Sequence, residues 1–194
     1  EKAEITALAF WENGFRHLTN NKRPIKKVED GKGLKIRTME NKVHLAAWKA
    51  AGYNPTPMAW GEVFTALQQG VIDGQENPIA IIASNKLWDA GQKNFSFSAH
   101  VYSPAPLLMS KKKFDGMPKE DRELFLKTAL EVAKFQRKLN RDAEENSMKE
   151  MASKGVTVVR DVDRESFKKA MAPVFDQFSS QFPKAEIETL MNAK

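Results

Sequence analysis

This chain contains no cysteine. That absence removes thiol nucleophiles, CxxC redox pairs, cysteine-based zinc sites and disulfide scaffolds. It leaves the redox compartment undetermined, because a disulfide-free protein folds in either environment. Histidine is scarce: His17, His44 and His100 are scattered, with no HExxH and no pair at metal-ligand spacing. Each is expected to be structural. There is no GxSxG elbow and no GxxxxGK[ST] loop, and Gly31-Lys-Gly33 alone does not imply nucleotide binding. Carboxylates are plentiful, but no arrangement singles out a pair for acid–base work. Long apolar runs are missing as well. The longest candidate, Ile79 to Ala83, falls far short of the roughly 18 residues of a membrane span. Glu1, Lys2 and Glu4 stand where a secretory leader would be apolar, so no leader is expected to remain.

What is present suits a soluble globular chain. With 41% hydrophobic and 29% charged residues, 194 positions suffice for one ordinary domain or two small lobes around a buried core. The net charge of +6 could serve nucleic acid, an anionic surface or an acidic ligand, so its distribution decides. Residues 1–60 hold 11 Lys and Arg against 6 acids, whereas 119–154 nearly balance at 9 against 8 and read as a solvated helix face. Lys111 to Lys113 read as an exposed turn. No aromatics interleave with these basic residues as a single-strand binding groove would require.

Strand-like and helix-like segments alternate, the signature of an α/β fold. Ile5 to Phe10 and Leu34 to Thr38 read as strands, and Asn41 to Ala51 as a helix closed by Gly52. After a loop at Pro55 and Pro57, the spacing of Val63, Phe64 and Leu67 predicts a helix stopped by Gly70. Val71-Ile72 starts a strand that Asp73-Gly74 should break. Asn77-Pro78 is expected to open a helix running to about Trp88, with Asn as N-cap and Pro in the first helical position. Phe95 to Ser110 looks extended, and Pro104 and Pro106 confine it to an edge or a crossover. Lys119 to Lys154 form one amphipathic segment of about 50 Å at ~1.5 Å per residue, which should bridge lobes or bend. Gly155 ends it, Val156 to Val159 read as a strand, and the stripe from Phe167 to Phe178 is core packing interrupted at Pro173.

The most informative stretch is 33–78, where each element ends in a polar or aromatic group. Arg37 stands at the carboxyl end of a strand, where open α/β sheets place ligands, and its guanidinium can hold a carboxylate through two parallel hydrogen bonds. A structural salt bridge is an equal alternative from pattern alone. For Asn77 a simple helix cap is favoured, and for Trp60 a core plug.

Gly33-Leu-Lys-Ile-Arg37, Asn54-Pro-Thr-Pro-Met-Ala-Trp60, Glu62 to Leu67 and above all Asp73-Gly-Gln-Glu-Asn-Pro78 resemble the substrate-binding proteins of tripartite ATP-independent periplasmic (TRAP) transporters, the DctP family. The resemblance covers essentially the whole chain, from Phe10-Trp-Glu-Asn-Gly-Phe-Arg16 to the C-terminal helices. It implies two α/β lobes, of mixed sheet flanked by helices with one long bridging helix, that close on a small organic acid in the periplasm. The acid is handed to a membrane permease, with no reaction catalysed, no cofactor and no nucleic acid. It also implies that Arg37 salt-bridges the ligand carboxylate, that Arg16 assists the anion, that Asn77 hydrogen-bonds the acid and that Trp60 lines the pocket. His100 matches a histidine near the hinge.

Family members carry roughly a further N-terminal third, so a shortened chain is expected. The second lobe would occupy 15–100 and 143–194, and 101–142 with 1–14 would be the remnant of the first lobe with its hinge and bridging helix. Gly31 replaces a usual apolar residue, Tyr53 a small one, and Asp89-Ala-Gly-Gln92 carries an apparent one-residue insertion. These departures bear on local packing rather than on the ligand motifs. Two other classes remain: a basic anion- or nucleic-acid-binding domain using the first 60 positions, and an enzyme acting on organic acids, for which no general base can be named.

Overall fold

Two long antiparallel strands organise the molecule, which we describe from a computed structural model covering residues 4–192. Strand β1 (Ile5–Asn20) pairs with β5 (Asn94–Ser110) along almost its whole length. The sequence suggested that β1 stops at Phe10. Instead Glu12-Asn13-Gly14, which reads like a turn, is absorbed as a register shift, with Gly14 at φ 112° supplying the bulge. Four shorter strands complete a mixed sheet of order β3-β2-β4-β1-β5-β6: β2 (Lys35–Thr38), β3 (Asn54–Pro57), β4 (Gly74–Pro78) and β6 (Thr157–Val159). β2 runs parallel to β3 and β4, β6 runs parallel to β5, and β4 is antiparallel to β1. The expected mixed α/β sheet flanked by helices is what the chain adopts.

Helices cover both faces. Leu18 of β1 points into one apolar cluster with Ile25, Ile36, Trp48 and Phe167. On the other face Phe95 joins Val63 and Leu67 of α2 (Trp60–Gln68), Ile79 and Ile82 of α3 (Ile79–Ser84), and Met148 and Met151 of α5 (Lys119–Ser153). Between β2 and β3, α1 (Lys42–Ala50) is capped by Asn41, whose side chain accepts from the amides of Val43 and His44. The Pro55/Pro57 stretch is edge strand rather than loop: β3 pairs only with β2, so its missing donors cost nothing on the open side.

Two local expectations fail around Asp73 to Trp88. Val71-Ile72 is not strand, and Asp73-Gly74 does not break one. β4 begins at Gly74 because a Cβ there would collide with the Thr19 carbonyl oxygen, so only glycine lets the two backbones approach. Asn77 is not a helix cap either. It is the fourth residue of β4, Pro78 holds the N-cap position in extended geometry without a side-chain cap, and α3 ends at Ser84 before a separate turn over 87–90.

Beyond Arg16 β1 no longer has β4 as a neighbour, and the β1/β5 ribbon continues with Pro104 and Pro106 on an outer edge, as expected. A smaller cluster of Leu8, Ala9, Ala129 and Ala133 packs there, next to α4 (Lys111–Asp115), an exposed helix where a turn was expected. Helix α5 docks on this ribbon through polar contacts. Gln136 accepts from the Glu12 amide at 2.9 Å and donates to the Glu12 carbonyl at 2.8 Å, while Arg141 holds the buried Glu12 carboxylate at 2.6 Å. At the C-terminal side α6 (Arg164–Met171) and α7 (Pro173–Phe178) break at Pro173 as expected, and α8 (Lys184–Asn192) follows.

Candidate functional site

β2, β3 and β4 are parallel, so Thr38, Pro57 and Pro78 end on the same side of the sheet, and antiparallel β1 delivers Arg16 opposite Pro78. The topology therefore brings Arg16, Arg37, Trp60 and Asn77 to the carboxyl-terminal edge, the position where α/β sheets hold ligands.

The two arginines are held in opposite ways. Arg37 is 4% exposed, and its Nε and Nη2 both donate to the Met58 carbonyl oxygen at 2.9 and 2.7 Å. Its guanidinium stands 5.5 Å from the centre of the Trp60 ring, within cation–π range. No carboxylate pairs with it, so the structural salt bridge is not formed among the described residues. Burial pulls its pKa down, and the nearby Glu76 charge offsets this only in part. Trp60 is 38% exposed at the start of α2, which overturns the core-plug reading.

Arg16 is neutralised. Its Nε and Nη2 grip the two carboxylate oxygens of Glu76 at 2.6 and 2.8 Å, and Nη2 also donates to the Glu76 carbonyl and, at 3.1 Å, to Asn77 Oδ1. His100 Nε2 lies 3.0 Å from the same carboxylate and Nδ1 lies 2.8 Å from Ser98 Oγ. Burial works against the charged form of Glu76, but the hydrogen bonds from His100 and Arg16 outweigh it and hold its pKa at about 2. Asn77 completes the array by donating to Gln75 Oε1 at 2.5 Å, and Gln75 donates on to Thr19. Every residue of β4 is buried, so this chain of partners is what makes so polar a strand tolerable.

The three histidines, scattered in sequence, converge in space. Residues Phe97 to His100 form a bulge in β5 opposite the single His17. His17 is fully buried, stacked on Phe97 with ring centres 4.3 Å apart, and its Nδ1 accepts from the Ala99 amide at 3.1 Å. That bond places the proton on Nε2, which has no partner among the described residues. Burial, and next the nearby His100, push the His17 pKa down to about 3. His44 on α1 is also pulled down by burial. No cluster of ligating residues suited to a metal occurs among the described residues.

Residue reading alone missed Glu76, Gln75 and the Met58 carbonyl. A signal for the first two was present: five residues of β4 without one long apolar side chain require partners if they are to be buried.

A family model for bacterial extracellular solute-binding proteins, family 7, matches residues 1–181. A solute-binding protein of Verminephrobacter eiseniae is 48% identical over 188 residues, which are 97% of this chain and 56% of that protein. The 2,3-diketo-L-gulonate-binding periplasmic protein YiaO of Escherichia coli is 39% identical over 180 residues, 92% of this chain and 55% of that one. A TRAP periplasmic solute-binding protein from Polaromonas, solved with D-erythronate bound, superposes with TM-score 0.93 at 46% identity, covering 98% of this chain and 63% of that chain. The chain thus spans little more than half the length of the curated relatives it matches. On the extent and identity of these matches, it belongs to family 7 of the bacterial extracellular solute-binding proteins, the DctP family.

Proposed function

We propose that this chain carries the anion-gripping part of a periplasmic receptor that captures a small organic acid and delivers it to a TRAP-type permease. The observation that carries the reading is Arg37: a buried guanidinium without a carboxylate partner among the described residues, at the carboxyl ends of β2 to β4 and beside a half-exposed indole. A ligand carboxylate supplies the missing charge through charge-assisted hydrogen bonds. Asn77, aligned by Gln75 and Arg16, adds polar contact, and Trp60 shapes the apolar side. Arg16 acts at one remove, because Glu76 already neutralises it. The relatives' ligands, D-erythronate and 2,3-diketo-L-gulonate, favour hydroxylated sugar acids. The cycle is binding and release without covalent chemistry.

The same reading assigns 15–100 and 143–194 to one lobe and 101–142 with 1–14 to the other. The loss of β4 beyond Arg16 and the separate small cluster beneath α5 support this division. His100, in the β5 bulge beside that boundary, becomes a hinge residue.

Calorimetric titration with a panel including D-erythronate tests the proposal. Binding of one acid class should weaken by roughly a hundredfold in Arg37→Ala, about 3 kcal/mol for a lost buried charge partner. Binding unchanged in the variant would sink the assignment. Steeply salt-dependent binding of an oligonucleotide, with no response to any acid, would favour a polyanion binder instead.

A further inference from the structure

A second cavity lies away from Arg37. A space of about 740 Å³ opens between α1, the β5 bulge and the C-terminal helices α6 to α8. None of Arg16, Arg37, Trp60 and Asn77 lines it, and His100 alone among the candidate residues reaches its wall. The lining is dominated by apolar side chains, with Trp48, Phe167, Met171, Val174 and Phe178 forming most of its interior. A cavity of this size and character suits a bulky apolar body rather than a four- to six-carbon hydroxy acid.

Its polar wall includes Arg164, Lys168, Glu165, Glu186 and His44. Arg164, the first residue of α6, has its guanidinium 5.1 Å from the centre of the Phe97 ring and pairs with no carboxylate among the described residues. Its sequence neighbour Asp163 is occupied as the helix cap, accepting from the Ser166 amide. A cation at a helix start runs against the helix dipole, so its placement gains nothing from α6 itself. His44, kept neutral by burial, offers one ring N–H. Glu165 and Glu186 also border the space, the former paired with Lys168 at 3.8 Å. At the wall Ala99 holds φ 46°, a left-handed conformation that a side chain disfavours, and the His17 contact fixes it.

We propose that this cavity is a second ligand site, separate from Arg37, for an aromatic monocarboxylate whose ring system enters between α1 and α6–α7 while its carboxylate meets Arg164. An aromatic interior with Arg164 at its border, unpaired with any carboxylate among the described residues, suits this occupant.

The test uses 2-naphthoate as probe, followed by calorimetry. One saturable site is expected. Arg164→Ala, an exposed position, should weaken binding about tenfold, and the neutral analogue 2-naphthylmethanol should lose a similar factor. Ala47→Trp, which fills the cavity from α1, should abolish binding. Arg37→Ala should leave naphthoate binding unchanged, and Ala47→Trp should leave D-erythronate binding unchanged. The two sites therefore fail separately. The groove under α5 is a competing apolar surface, and Val132→Asp there should have no effect. Absence of saturable binding would overturn the proposal. So would binding that ignores Arg164→Ala and Ala47→Trp, or that disappears with Val132→Asp or Arg37→Ala.

Discussion

Arg16 and Arg37 show how alike two buried arginines can look in sequence and how differently they are employed. Removing Arg16 strands the Glu76 carboxylate at zero exposure with His100 as its remaining charged-group partner. Arg16→Ala should therefore cost about 3–5 kcal/mol of stability. Arg37→Ala removes a cation that no carboxylate pairs with among the described residues, so stability should change little while acid binding collapses. Urea denaturation of both variants beside calorimetry checks the split, and equal stability losses would contradict it. Gly31 and Tyr53, two apparent departures from the family pattern, turn out to be one feature. A Cβ on Gly31 would fall inside the Tyr53 ring, so the glycine makes room for the tyrosine. Gly31→Ala should cost roughly 1–3 kcal/mol through overpacking, and much less when Tyr53 is also Ala. Tyr53 Oη is buried without a partner among the described residues, so Tyr53→Phe should be neutral or stabilising by about 1 kcal/mol. Thermal unfolding of Gly31→Ala, Tyr53→Ala, their double variant and Tyr53→Phe measures both effects.

Among the elements, the β5 bulge carries a pH dependence. The folded pKa of His17, about 3, lies below its ordinary 6.5, so between these values the unfolded chain binds a proton that the folded chain refuses. Stability must therefore fall as pH drops from 6.5, by about 1.4 kcal/mol per unit, or roughly 2 kcal/mol by pH 5. For a chain of this length that corresponds to about 4–8 °C in Tm. His44 adds in the same direction. Glu76, held at about 2 against an ordinary 4.5, contributes stability that is full above 4.5 and disappears only below it. Acid destabilisation should thus begin near pH 6.5 rather than near 4. His17→Asn, which keeps an acceptor for the Ala99 amide, should flatten the upper part of the profile. An unaltered Tm slope between pH 6.5 and 5 would exclude His17 as its source. The elements also show where local signals mislead. Asn77-Pro78 has the chemistry of a helix start, but pairing of β4 with β1 and β2 takes Asn77 into the sheet, and tertiary hydrogen bonds override the capping preference.

At the scale of the whole molecule, the two ends of the β1/β5 ribbon are unequally covered. One end lies inside a three-layer sandwich. The other exposes Phe10 at 58% on the ribbon and Phe135 at 66% on α5, with Phe15, Leu108, Leu124 and Leu130 also exposed. Apolar area on this scale promotes association. The 194-residue chain by itself should show a sedimentation mass that rises with concentration, reduced by Phe10→Glu with Phe135→Glu. A single-chain mass at high micromolar concentration would show that this face tolerates water. The long α5 is held on the β1/β5 ribbon because Gln136 and Arg141 take up the backbone and carboxylate of Glu12, a long-range match between polar groups that no periodicity reveals.

The sequence by itself determined the alternation of strands and helices, the long α5, the break at Pro173 and, through Asp73 to Pro78 and Gly33 to Arg37, the family. These depend on local propensity and on motifs contiguous in the chain. Tertiary contacts alone put Asn77 in a strand, gave Arg16 to Glu76, left Arg37 without a paired carboxylate among the described residues and brought His17 and His100 to one bulge. The reason is that burial and pairing across a sheet join residues up to 60 or more positions apart, as Arg16 and Glu76 are, and such contacts leave no trace in spacing.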